Sequence, residues 1–565
     1  MIRVGNCSGF YGDRLSAMRE MLEGGDLDYL TGDWLAELTM LILGKDTFRD
    51  PSLGYARTFL TQINDCLELA LSKGVKIVSN AGGLNPKGLA EQIDALGTGA
   101  KVAYVDGDDL RGTEHFPGAL TANAYLGAFG IAEALNAGAD VVVTGRVTDA
   151  AVVMGPAIAA FGWTRTDYDR LAGAVIAGHV IECGTQATGG NFSGFLDIDF
   201  SQPLGFPIAE IAEDGSCVIT KHEGTGGNVT VDTVTAQLMY EIQGTAYLNP
   251  DVTTDLTTIQ LEQVGPDRVR ISGTEGSAAP DQTKVAVNNV GGYRNMVEFV
   301  LTGLDIEAKG ALIRRQVEAV LPTGPRYAWT DFRTPAPDSS TEEGAAALLR
   351  LIAWSNDENA VGKAFTGPIF EQVLASYPGF HVTAPPGKPS IYGVYTPGYI
   401  PAGTVEEQVH LLWSGVDRTL DAPVQAPTRG DVGAAAFVRS PARFDSDGST
   451  RRTELGRLVY ARSGDKGGNA NVGLWIPQNK APGKADAAVD WLLATVTEDW
   501  VRALIPEASA MPIDIVHLPN LRGVNVVIHG WLGAGVAEQV RFDPQAKALG
   551  EWLRARVVEI PEEYL

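Results

Sequence analysis

Cysteine is scarce in this 565-residue chain: Cys7, Cys66, Cys183 and Cys217 are widely separated, and no C-x-x-C pair occurs. No disulfide framework or zinc knuckle follows from such spacing, and a reducing compartment suits it. Positive charge is short as well. Lys and Arg number 44 against 69 Asp and Glu, giving a formal net charge of −25. That balance argues against a general nucleic-acid binder and against docking to anionic membranes; an anionic small substrate needs only a local basic pocket. No apolar run is long enough to span a bilayer, since residues 118–138 are broken by Asn, Tyr and Glu. The N-terminus runs from Met1 straight into a strand-like Ile2-Arg3-Val4 rather than a signal peptide, so a cytoplasmic location is expected. Nucleotide fingerprints are missing too. The first strand is not followed by G-x-G-x-x-G, and G-x-x-x-x-G-K-[ST] occurs nowhere, so NAD and ATP are unsupported and no cofactor is expected.

What is present is a soluble globular composition, 45% apolar and 20% charged, in a chain too long for one ordinary core. The first 150 residues read as repeated strand–helix units. Val/Ile-rich strands at about 3–5, 28–33, 75–79, 101–105 and 140–144 alternate with helical patterns. This predicts an α/β fold: a mostly parallel sheet with helices on both faces. Residues 257–262 and 268–272 flank Pro266-Asp267 as a hairpin. Residues 294–321 and 345–353 read as helices, and 374–404 as an ordered loop, giving a mixed α+β middle. Residues 421–452 hold few large apolar residues and read as a linker. The expected organisation is a main domain at 1–420, divisible into a parallel α/β part at 1–240 and a mixed part at 241–420, then the linker, then a small α+β domain at 453–565.

The candidate site centres on residues 178–195. Thr166 and Asp169 read as a capping box opening a helix, which puts His179, Glu182 and Cys183 on one face. Three readings stay open for that trio: a packed thiol beside a satisfied helix-end histidine, acid/base or nucleophilic chemistry, or metal ligation, for which one H-x-x-E lacks a second ligand pair. No metal site is expected. Thr188-Gly189-Gly190-Asn191 and its repeat Thr225-Gly226-Gly227-Asn228 read as two walls of one pocket, with Gln186 beside the first and Lys221-His222 beside the second. In parallel sheets ligands sit beyond the carboxyl ends of the strands. Those ends carry Asn6, Asp33, Asn80 with Gly82 and Gly83, Asp106, and Arg146 with Asp149, which are expected to share one cleft. Arg462, Lys466, Asn469 and Asn471 form a second polar turn that resembles an anion nest.

Asn6–Asp13, Thr31–Asp33, Ser79–Pro86, Thr144–Asp149, His179–Ser193 and Lys221–Thr230 together resemble the acyclic terpene utilisation protein A family. Arg462–Lys466 with Gly467 resembles that family's C-terminal ferredoxin-like module. The resemblance implies breakdown of branched acids through acyl-CoA thioesters. The implied activity is that of a hydratase or a lyase on a branched 3-hydroxyacyl-CoA, with coenzyme A as part of the substrate. The alternative is a non-catalytic acyl-CoA-binding or assembly subunit. A homo-oligomer is expected. The family offers no agreed catalytic set, so the residues carry the site argument alone.

Overall fold

The computed structural model describes residues 1–421 and 448–565, so most of the expected linker lies outside the described residues. Each of the five Val/Ile-rich runs forms a strand: β1 (Ile2–Asn6), β2 (Tyr29–Gly32), β3 (Lys76–Ser79), β4 (Val102–Asp106) and, after the short β5 (Thr121–Ala124), β6 (Val141–Thr144). They pair in parallel in the order β1-β2-β3-β6-β4. Successive residues of a strand feed different apolar clusters. Val78, Val142 and Val105 join the helices Phe129–Asn136, Ala151–Phe161 and Tyr168–Ile181, whereas Ile77, Val141 and Val143 join Ala17–Gly24, Arg57–Lys73 and Pro86–Asp94. That alternation follows from the period of two along a strand.

Among the described residues the sheet has eleven strands, and only its centre is parallel. β7 (Pro207–Ile211), β8 (Cys217–Lys221), Arg268–Ser272 and Gln260–Gly265 extend it antiparallel beyond β1. Gln408–Leu411 and Val416–Thr419 extend it antiparallel beyond β4. The expectation of a mostly parallel sheet is therefore corrected to a mixed one. The reason lies in the connections: short turns such as the one after Ile211 can join only antiparallel neighbours. The hairpin at Pro266-Asp267 forms, with Asp267 at φ 51°.

The chain divides into two compact units: residues 1–288, 395–533 and 545–565 make one, and residues 289–394 and 534–544 the other. In the second unit, two expected helices are strands. Gln282–Thr302 runs as one strand into this unit, and helix starts only at Ile306. Ala346–Ser355 pairs antiparallel with it and with Arg326–Arg333. Val297, Phe299 and Leu301 are buried while Met296 is 48% exposed, a period of two that outweighs the helical propensity of the composition. Leu349, Leu351 and Ala353 repeat the pattern. The stretch 374–404 also contains a strand, Ser390–Pro401.

The tail forms its own antiparallel sheet of Tyr460–Lys466, Asn469–Trp475, Gly523–Ile528 and Ile513–Leu518, with its own apolar cluster around Leu458, Val472, Leu474, Leu492 and Val526. The tail's last helix is Leu549–Arg554, and Val557–Pro561 after it pairs antiparallel with Thr450–Glu454. Tyr460 and Trp475 pack outward, meeting Phe192 of the first unit's larger core at ring distances of 5.4 and 6.5 Å. Among the described residues no helix is long and apolar enough to cross a membrane.

A strand puts residues 296 and 299 on opposite faces, whereas a helix would put them on one. Phe299→Ala should cost about 3–5 kcal/mol in urea unfolding, and Met296→Ser no more than about 0.5 kcal/mol. Equal costs would refute the strand assignment.

Candidate functional site

Strand ends gather the polar residues. Asn80, at the end of β3, donates from Nδ2 to Asp33 Oδ1 at 2.5 Å, and its Oδ1 accepts the Trp34 amide at 2.8 Å. Arg146, beyond β6, donates from Nη1 to Asp149 Oδ1 at 2.7 Å and to the Leu35 carbonyl at 3.0 Å, and from Nη2 to the Tyr125 hydroxyl at 3.2 Å. Its guanidinium lies over the Tyr125 ring at 4.4 Å. Asn6 donates to the Glu182 carbonyl at 3.3 Å, which brings the end of helix Tyr168–Ile181 against β1. Asp33, Asn80, Arg146, Asp149 and Glu182 therefore surround one space. Asp106 stands apart, bound to His410 Nε2 at 3.0 Å on the far edge of the sheet. Asp108 takes the part that the sequence reading left to Asp106: it accepts from the Arg146 amide at 2.8 Å and from Asn123 Nδ2 at 2.7 Å.

The helix that carries His179 opens without the expected Thr166–Asp169 box. Asp167 precedes it and accepts instead from the amide and hydroxyl of Thr164, both at 2.7 Å. His179 and Glu182 do share a face, with Nδ1 and Oε1 3.3 Å apart. They are 2% and 3% exposed, and among the described residues Glu182 Oε2 has no hydrogen-bond partner. Burial pushes the Glu182 carboxyl well up, and the Asp149 and Glu241 carboxylates add to this against Lys466 and Arg146. Asp33 is raised for the same reasons: burial first, then Asp149. Burial also holds the His179 imidazole down to about 4, and Lys466 reinforces it. The environment thus favours the neutral imidazole and favours protonation of the Glu182 and Asp33 carboxyls over that of the ring. Cys183 is raised well above the ordinary thiol range by burial and then by Glu182 and Glu241. A nucleophilic thiolate is therefore disfavoured, because burial and the Glu182 and Glu241 carboxylates outweigh the pull of Lys547.

The two repeated loops do meet, yet their glycine amides are already used. Gly189 donates to Gln186 O, Gly190 to Thr185 O, Gly226 to Pro203 O and Gly227 to Asp199 O. The Asn228 amide donates to Thr188 O, and Thr188 Oγ1 donates to Thr185 O and Gly205 O. The two loops read as pocket walls thus form a self-bonded pair of turns whose glycine amides are occupied. Gln186 Oε1 and the Asn191 carbonyl accept from Arg462 of the tail. Lys221 donates to Thr225 O at 2.9 Å and pairs with Asp267, and His222 Nε2 bonds Met21 O at 3.0 Å over Gly24 and Gly25. Both are held in structural contacts beside helix Ala17–Gly24 and the 267 turn. Gly82 and Gly83 serve packing: a Cβ on either would lie 2.4 Å from Thr144 O or Leu43 Cδ1.

Sequence reasoning missed the other half of the site. Glu37, Tyr125, Tyr240, Glu241, Tyr247, Lys284 and Tyr395 join it from the first unit, and Asp465, Lys466 and Lys547 from the tail. The His179 and Tyr247 rings lie 5.0 Å apart. Burial lifts the Asp465 carboxyl to about 7, helped by Glu241 and Glu37. Glu241 has φ 59°, a left-handed backbone that costs a non-glycine residue. The tail enforces it: Asn471 Oδ1 accepts the Glu241 amide at 2.8 Å, Asn471 Nδ2 donates to Met239 O, and Asn525 Nδ2 donates to Ile242 O, both at 3.0 Å. The cluster in Arg462–Asn471 was the one visible signal, without any indication of what it faces. Among the described residues, no group of three or more His, Cys, Asp or Glu is placed to hold a metal ion.

The depressed imidazole makes a pH prediction. Unfolded His179 takes up a proton near 6.5, whereas the folded chain refuses it down to about 4. Its contribution to stability is therefore full above pH 6.5 and is lost as pH falls through that window, by up to about 3 kcal/mol. His179→Gln should flatten the fall of the urea midpoint between pH 6.5 and 4. An unchanged slope would mean that the imidazole is solvated in the folded chain.

A search of curated proteins gives no match. Two family matches cover the chain. Residues 453–559 match the AtuA ferredoxin-like domain, in agreement with a self-contained sheet over that stretch. Residues 2–411, which contain the strand ends, His179 and Glu182, match the acyclic terpene utilisation family protein AtuA, and the chain belongs to that family.

Proposed function

We propose that this chain is an enzyme of branched-chain acid breakdown acting on an acyl-CoA thioester, as a hydratase or as a lyase of a branched 3-hydroxyacyl-CoA. The family's association with acyclic terpene utilisation supports the setting. The observation that carries the chemistry is Glu182: a carboxyl kept protonated by burial, with one oxygen unpartnered among the described residues. A neutral carboxylic acid of this kind is a general acid at neutral pH. Asp149 is the complementary base, a more open carboxylate oriented by Arg146 at 2.7 Å.

Either reaction uses the same pair. In dehydration, read in reverse for hydration, Asp149 takes the α-proton and the C2=C3 bond forms. The C3–O bond breaks, and the departing hydroxyl takes the Glu182 proton to leave as water. In cleavage, Asp149 takes the 3-hydroxyl proton and the C2–C3 bond breaks. The electron pair passes onto the thioester, which takes the Glu182 proton at C2. Both routes develop charge on the thioester oxygen. His179, neutral and 3.3 Å from Glu182, orients the acid rather than titrating in the working range. Cys183 takes no covalent part.

The test is turnover of branched enoyl-CoA and 3-hydroxyacyl-CoA thioesters by the purified chain. Glu182→Gln should lower kcat by about 100-fold or more with the fold intact, and Cys183→Ser should keep most of the rate. If the wild-type chain binds acyl-CoA in calorimetry but converts none, the binding-subunit reading replaces this one.

A further inference from the structure

The charges that line this site do not all pair with one another. Lys466 sits at the tip of the tail's first hairpin, opposite Asn469 in the register. Among the described residues its ammonium makes no hydrogen bond and has no carboxylate oxygen within 4.0 Å. Yet the Glu241 and Glu37 carboxylates, from separate stretches outside the tail, both favour its charge. Lys284 behaves similarly: its ammonium lies 5.0 Å from the Tyr125 ring centre and 5.9 Å from that of Tyr395, and it too acts on Glu37. In an acidic protein, a cation left without a direct partner while surrounded by protein has its donors open to a ligand.

The hairpin is built to bring Lys466 there. A Cβ on Gly464 would lie 2.2 Å from the Tyr240 ring, and one on Gly467, at φ +62°, 3.1 Å from the Tyr395 ring. A Cβ on Gly468 would lie 2.4 Å from Gly533 O. Only a backbone stripped of side chains gets that close. Behind the tip, Arg462 bonds Asn191 O at 2.7 Å, and the buried Asn471 and Asn525 hold the turn around Glu241.

We propose that the tail completes the active site: the Lys466 ammonium binds the oxygen on which negative charge develops in the substrate, the enolate oxygen of the thioester. This rests on the acid–base reading of Glu182 and Asp149, and it supplies the group that reading lacks. Lys466 stays protonated throughout. It donates hydrogen bonds to the oxygen as the electron pair arrives and releases them as the pair moves on, into the C2=C3 bond as C3–O breaks in dehydration, or onto the Glu182 proton at C2 in cleavage. Burial disfavours its charge, and the Glu241 and Glu37 carboxylates favour the ammonium form. A fixed cation in a site of low water content acts more strongly on the developing charge than on the neutral ground state.

The experiment uses the full chain and two readouts. The first is turnover of the branched thioesters. Lys466→Met should lower kcat by about 100-fold or more with a much smaller change in KM, and Lys466→Arg should recover part of the loss. The second needs no turnover: calorimetric binding of 3-methylbutanoate, whose carboxylate stands in for the enolate. Lys466→Met should weaken it about tenfold or more, whereas Lys484→Met, which removes an exposed tail lysine paired with Glu563, should leave it unchanged. Near-UV circular dichroism checks folding, and Lys466→Gln is read instead if the methionine variant is not folded. Undiminished binding in the folded variant, no binding by the wild type, or a kcat that survives the loss of the ammonium would each overturn the proposal. Lys466-dependent binding without any acyl-CoA turnover would keep the cation site and remove the hydratase or lyase reading.

Discussion

A guanidinium taken out of water must be compensated on every side, and the centre of this protein is arranged around that requirement. Arg146 is almost fully buried, and burial alone would weaken its charge. Asp149, Tyr125 and Asp33 more than reverse this. Meeting that demand fixes the loop after β6 against Leu35 in the loop after β2, and Asn80 fixes Asp33 in turn. Three strand ends are thus bound into one polar floor. The same floor then imposes itself on Glu182, because another carboxylate there would be a charge too many. Burial is the first cause of the raised Glu182 carboxyl, the Asp149 and Glu241 carboxylates add to it, and Arg146 and Lys466 only partly oppose them.

The tail stands in the same relation to the site. Its sheet and apolar cluster are its own, but its surface is shaped to the first unit's centre. Phe192 packs against both Tyr460 and Trp475, Ser193 Oγ donates to Ala461 O at 2.7 Å, and Arg462 takes up the turn that carries Asn191. The strained backbone at Glu241 persists because two asparagines of the tail satisfy the groups around it. A folded accessory domain would not need glycine at positions 464, 467 and 468. Those glycines mark a close approach, and the residue they surround is Lys466.

Strands were legible where both neighbours in space were also regular: five Val/Ile runs bounded by glycine and polar residues could only be strands of one sheet. The error in residues 294–321 has a definite cause. Met296, Val297, Phe299, Val300 and Leu301 fit a helical stripe nearly as well as a strand, and only burial separates Met296 from Phe299. The glycine loops misled in another way. Thr188-Gly189-Gly190-Asn191 announces exposed amides, but whether those amides face a ligand depends on the carbonyls that folding brings to them, and here Thr185, Gln186, Pro203 and Asp199 take all four.

The sequence by itself determined the local chemistry: the parallel strands of the centre, the polar residues at their ends, the helix that carries His179 and Glu182, and a tail with a cation-bearing glycine turn. Each of these is encoded over a few residues, as a period of two or a pattern of caps and turns. Tertiary structure alone decided which charges meet. Ionisation depends on distance and on exclusion of water, and neither is a property of a segment. Glu182 is an acid because residues distant along the chain surround it. The Cys183 thiol is raised for the same reason, and Lys466 meets Glu241 and Glu37 only because the tail's first hairpin packs beside them.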